Sequence, residues 1–74
     1  MMYDAVLENA RVVYSEEGFG FVLVGRVYAD TKNRFEDGYV IHTSEVRQIH
    51  PYTDRSVIVV TQNTTYRVEG GFRL

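Results

Sequence analysis

The chain has 74 residues, 45% of them hydrophobic and 24% charged, and a formal net charge of −2 at pH 7. That length suits one domain, residues 1–74, and is too short for a second hydrophobic core. The absence of cysteine excludes disulfides and thiolate metal sites and fits a reducing compartment, and no stretch approaches the roughly 20 apolar residues of a membrane-spanning helix.

Met1-Met2-Tyr3-Asp4 lacks the basic region and apolar run of a signal peptide, so a cytoplasmic location is expected. Val12-Val13-Tyr14 is a short β-prone run, closed by Ser15-Glu16-Glu17-Gly18. Phe21 to Ala29 is the longest strand candidate. It is apolar on both faces, with Phe21, Leu23, Val27 and Ala29 on one and Val22, Val24 and Tyr28 on the other, which predicts a central strand. Gly25 within it predicts a bulge or a sharp bend.

Asp30-Thr31-Lys32-Asn33-Arg34 is a polar loop, Glu36-Asp37-Gly38 is a turn, and Tyr39 to Thr43 is the next strand. Beyond it, Ser44 could cap a single helical turn, Glu45 to Ile49, or Val46 to His50 could form an edge strand ended by Pro51; the edge strand is preferred. Pro51-Tyr52-Thr53-Asp54 then makes a turn, Val57 to Thr61 an apolar strand and Gln62-Asn63-Thr64 a tight connection. Thr65 to Glu69 alternates, with Tyr66 and Val68 inward, and Gly70-Gly71 is expected to free a short tail. The pattern predicts an all-β domain: a small barrel-like or rolled antiparallel sheet of five to six short strands.

Charge is unevenly spread. Residues 1–45 carry eight acids and four bases, and residues 46–74 two acids and four bases, giving −4 and +2. No basic stripe runs along the chain, so strong duplex binding through phosphates is not expected. Basic charge is almost wholly arginine, with Lys32 the lone lysine, and there are six tyrosines and four phenylalanines. Tyrosine and arginine are enriched in interfaces, and a small domain without covalent staples gains stability by oligomerising or by binding a partner.

Catalytic constellations are missing. No serine or threonine sits in a nucleophile elbow, and Glu36 and Asp37 are adjacent, which on a strand sends them to opposite faces. The chain is also expected to be too short to enclose a pocket of several hundred Å³. His42, His50 and Asp54 fit no closed metal site, and Asp30 to Gly38 has a calcium loop's composition but places Lys32 and Arg34 where oxygen ligands belong. Neither an enzyme nor a metal or cofactor site is expected.

Gly18-Phe19-Gly20-Phe21-Val22 resembles the aromatic strand of cold-shock domains, which stack single-stranded bases on such rings. Tyr39-Val40-Ile41-His42-Thr43-Ser44 is similar to that family's second motif. The resemblance implies a five-stranded barrel with Phe19, Phe21 and His42 as base-stacking residues. The chain departs from the family in carrying Glu17 where a lysine stands, Val12-Val13 in place of an aromatic pair, and Val40 and Thr43 where further aromatics belong. Read by burial tendency alone, Phe19 and Phe21 are instead buried at the start of a strand.

A second resemblance covers residues 25–70. Arg34-Phe35-x-Asp37-Gly38, Ile41-x-Thr43-Ser44-x-Val46 and Thr61-x-Asn63-Thr64-x-Tyr66-x-Val68 are similar to small uncharacterised bacteriophage proteins. It implies a viral protein in the host cytoplasm that inhibits or assists a bacterial host protein. The expected function is therefore a non-enzymatic protein-binding module acting by steric occlusion, itself a homo-oligomer, with single-strand binding as the alternative. Loops and strand ends carry binding, which nominates Tyr28, Arg34, Phe35, Tyr39, Tyr52 and Arg55 as partner-binding residues.

Overall fold

The computed structural model describes residues 2–16 and 20–73. These form β1 (Ala5–Tyr14), β2 (Phe21–Tyr28), β3 (Val40–His42), β4 (Val46–Thr53), β5 (Ser56–Thr61), β6 (Thr65–Glu69) and a two-residue β7 (Phe72–Arg73). All join one sheet in the order β3-β2-β1-β6-β5-β4, with β7 also paired to β1. Neighbours are antiparallel, except that β6 and β7 run parallel to β1.

The strands at the two ends of that order, β3 and β4, are consecutive in the chain. The span from His42 to Val46 is at most about 14 Å, so the sheet has to roll until its edges approach. The corner between them is pinned to both sides. Thr43 N–H donates to Leu23 O at 2.8 Å, and Leu23 N–H donates to Thr43 Oγ1 at 3.0 Å. Ser44 Oγ donates to Thr61 Oγ1 at 2.9 Å and accepts from Asn63 N–H at 3.1 Å. β3 and β4 share no ladder, so the sheet is rolled without closing into a barrel.

The core fills the inside of the roll. Ala5, Leu7, Ala10, Leu23, Val27, Ile41, Val59, Tyr66 and Val68 are buried there, with Val12, Phe21, Phe35, Val46, Val57 and Phe72 packed around them. Each fully buried Leu or Val contributes about 1.5–3 kcal/mol. Tyr66 and Val68 face inward as the alternation of β6 predicts.

β2 is internal, between β1 and β3, as its two apolar faces predict, but the longest strand is β1, with ten residues. The register of β1 against β2 shifts between Glu8 and Arg11, a bulge built on Asn9 at φ 55°. Inward positions therefore change from Ala5 and Leu7 before the bulge to Ala10 and Val12 after it. Gly25 lies opposite the bulge: a Cβ there would meet Glu8 O at 2.8 Å and Ala10 Cα at 3.2 Å.

Three expectations for the second half are corrected. Residues 46–53 form the edge strand, but Pro51 continues it instead of ending it and pairs with Val57. β4 is bonded on one side only, so a missing N–H is tolerated on its free side. The turn accordingly falls at Asp54-Arg55, between the paired Thr53 and Ser56, and not at 51–54. Gly70 and Gly71, at φ 75° and 69°, do not release a tail. They turn the chain, as glycine alone does without strain, so that Phe72 reaches β1 and packs on the core.

Candidate functional site

Two polar clusters stand out. One lies in the loop from Ala29 to Tyr39. Asp30, whose side chain is 1% exposed, accepts four hydrogen bonds. The N–H groups of Lys32 and Arg34 give two, at 3.1 and 2.8 Å, and the Arg34 guanidinium gives two more, at 3.2 Å each. Burial alone would raise the Asp30 pKa, but these donors outweigh it and hold the carboxyl below its ordinary value. Arg34 Nη1 also donates to Thr64 Oγ1 at 2.8 Å, and its guanidinium lies 5.1 Å from the Phe35 ring centroid. Lys32 Nζ donates to Asn63 O at 2.8 Å and stands 3.9 Å from Asp4 Oδ2. The loop is thus sewn to the β5–β6 turn by its own cations, and its calcium-like acid is satisfied by arginine.

The second cluster lies on the outer face of the sheet. Register sets Tyr28, Val6, Arg67, Ile58 and His50 in one row across β2, β1, β6, β5 and β4. Ile58 points away from the core, yet none of it is exposed. Arg67 and His50 flank it in the row, and Tyr3 and Tyr52 gather on Arg67. The Arg67 guanidinium lies 5.9 Å from the Tyr3 ring centroid and 5.4 Å from that of Tyr52. The two rings meet edge to face at 6.1 Å, a contact worth about 0.5–1.5 kcal/mol beyond the area it buries. Arg67 Nε is buried and faces Glu69 Oε1 as an ion pair, though not aligned as a hydrogen bond. Nη1 reaches the Tyr3 hydroxyl at 3.4 Å. That hydroxyl foremost, against the pull of desolvation, raises the arginine pKa further.

An open cleft of about 380 Å³ lies between the β4–β5 hairpin tip and the Gly70-Gly71 turn, lined by Pro51, Thr53, Arg55, Ser56 and Val57 among others. The space is formed by splayed turns at one end of the roll and lies open to solvent, so it is not an enclosed pocket of the kind that buries most of a small ligand.

The nominated partner-binding residues divide. Tyr28 and Tyr52 belong to the outer face, Arg55 lines the cleft, and Tyr39, 56% exposed, stands just before β3. Arg34 is engaged inside its loop, and Phe35 packs on the core. Of the proposed base-stacking residues, Phe19 lies outside the described residues. Phe21 packs against the core beside Tyr14, with ring centroids 6.0 Å apart. His42 is exposed and stands opposite Val24, on the other face of the sheet from Phe21. The two do not share a stacking surface. Titration with oligothymidylate is expected to produce no joint, salt-sensitive shift of their ring resonances; such a shift would restore the stacking expectation.

His42, His50 and Asp54 are not brought together, and no group of three or more His, Asp or Glu suited to a metal occurs among the described residues. Sequence reading missed Tyr3 and Arg67. Arg67 was visible as an outward residue of an alternating strand, but Tyr3 reaches it only through the parallel pairing of β1 with β6, for which the local sequence carries no signal. No protein-family model, curated protein or solved structure matches the chain.

Proposed function

We propose that the chain is a non-enzymatic protein-binding module that covers a surface of its partner, and that the outer face of β4, β5 and β6 is the docking surface. The observation that supports this most is the Tyr3–Arg67–Tyr52 cluster around the fully buried Ile58. Tyrosine and arginine dominate interface hot spots, and here they are held in place before any partner arrives. Tyr52 is still 41% exposed, so it retains surface to bury. The bacteriophage-protein resemblance supports an inhibitor or accessory factor acting on a host protein. Self-association through strand edges has a poor template in β4, whose free edge carries Pro51 and two register shifts; copies of the chain would pair through faces.

Affinity capture from host lysate, with and without nuclease, by the wild type and by Tyr52→Ala, both shown to be folded by NMR, tests the assignment. The expected result is a stoichiometric protein partner whose affinity falls about 30-fold in the variant, the effect of losing a hot-spot residue. A partner retained equally by Tyr52→Ala would move the docking surface elsewhere, and capture abolished by nuclease would favour nucleic acid.

A further inference from the structure

We propose that the free edge of β3 is a second docking site, which takes an extended segment of a protein partner as an added strand. The site is independent of the β4–β6 face. β3 ends the sheet on its side and is bonded to β2 alone. Val27 N–H donates to Tyr39 O at 2.9 Å and Thr43 N–H donates to Leu23 O at 2.8 Å, and Ile41 stands between them, opposite Gly25. In an antiparallel pair the main chain turns toward its neighbour at every second residue. Tyr39, Ile41 and Thr43 therefore face β2, and the N–H and C=O groups of Val40 and His42 point away from it. Those groups have no partner among the described residues.

This alternation of donors and acceptors selects its occupant. A helix has its own N–H and C=O groups bonded internally, and a nucleic-acid backbone offers phosphate acceptors with no matching N–H. An extended peptide presents both groups at the right spacing. The side chains define the peptide further. Val40 is 59% exposed on the outer face, diagonal to Val24 of β2. Val22 and Val24 are half-buried there, and Val13, 40% exposed, pairs with Val22. A patch of valines thus runs across β1 and β2 to the free edge. A segment with a β-branched apolar residue opposite Val40 would extend the patch and cover it. The opposite edge is closed to the same use. β4 carries Pro51 and two register shifts, whereas β3 has no proline, lysine or shift.

The test is an NMR titration of the isotopically labelled full chain with an end-blocked heptapeptide alternating threonine and valine. Expected are shifts of the Val40 and His42 amides, slower exchange of those two amides with solvent, and shifts of the Val13, Val22 and Val24 methyl groups. Methylating every second peptide nitrogen should abolish binding for one set and spare it for the other, the valine set being the sensitive one if the strand adds antiparallel. His42→Pro is expected to weaken binding at least about tenfold, because proline removes an outward donor while Ile41 keeps the ladder to β2. Should that variant fail to fold, the methylated peptides test the same bonds with the chain unaltered. No binding at millimolar peptide, shifts confined to the β4–β6 face, equal tolerance of both methylations, or unchanged binding by a folded His42→Pro would overturn the proposal. So would a wild type that sediments as a dimer and becomes a monomer on His42→Pro, since the edge would then belong to a second copy of the chain.

Discussion

Gly25→Ala is expected to destabilise the domain by about 2–3 kcal/mol, and Gly25→Val to leave it unfolded. The sign is diagnostic. At an ordinary strand position the same change removes a flexible residue from the unfolded chain and stabilises by about 0.4–1 kcal/mol. The φ of Gly25 is not positive, so backbone conformation alone would accept alanine. What forbids it is the bulge in β1, whose Glu8 carbonyl would lie 2.8 Å from the added Cβ. That oxygen is main chain, in the central strand, and cannot swing aside as a side-chain tip would. Leu7 Cγ at 3.1 Å and Ala10 Cα at 3.2 Å close the other sides. A domain of this size has about 4–11 kcal/mol in total, so the two further methyl groups of valine exceed what it can lose. Urea denaturation of the wild type and Gly25→Ala measures the difference. An alanine variant as stable as the wild type, or more so, would falsify the bulge register.

The same bulge explains what could and could not be read from the sequence. Tyr66 and Val68 of β6 sit on a regular alternation, and their inward face was legible because period two holds along the strand; β2, apolar on both faces, was legible as an internal strand, but not for which face holds the core. Gly25 signalled a bulge, although the extra residue belongs to its partner strand. β1 was read only as Val12-Val13-Tyr14, because Asn9 shifts the inward set by one and breaks the alternation that marks a strand. Pro51 was given its usual role as a terminator, yet it is compatible with a strand whose other side is free. Gly70-Gly71 read as a loose end because its partner, β1, begins sixty-five residues earlier. The candidate face was legible in half. Tyr28 and Tyr52 stood out by residue type, whereas the contacts of Arg67 with Tyr3 depend on a parallel pairing between the two ends of the chain.

Such long-range pairing also decides which polar groups hold the fold and which remain for a partner. Arg34 looked like a binding residue because it is an arginine in a loop, and so did Arg55. Arg34 closes on Asp30 and Thr64, and removing it would first be felt as lost stability. Arg67 is ion-paired with Glu69 and held beside Tyr3 and Tyr52 on the outer face, where the proposed docking surface lies. A substitution series at the two sites should therefore separate: Arg34 variants lower stability, and Arg67 variants lower binding.

Asp30→Asn is expected to cost about 2–3 kcal/mol at neutral pH, the other large effect. Removing one partner of a buried pair costs about 3–5 kcal/mol, and the lower figure applies because the Arg34 side chain is 32% exposed and can be rehydrated in part. Asparagine keeps the shape but brings an NH₂ where the carboxylate accepted, so at least one donor from Arg34 or the backbone loses its acceptor. The pH dependence gives the stricter test. The folded pKa of Asp30 lies below its unfolded value of 3.8, so the stability it contributes is fully present above that value. It is lost as pH falls through the folded pKa, when the carboxyl takes up its proton in the folded state too. Asparagine has no such titration. The gap between wild type and Asp30→Asn should be constant from pH 7 to about pH 5 and narrow steadily below pH 4. The remaining acids titrate in both proteins and cancel in the difference. Urea midpoints across that range read the gap directly, and one that stays constant down to pH 2 would mean that Asp30 acts through its shape and not its charge.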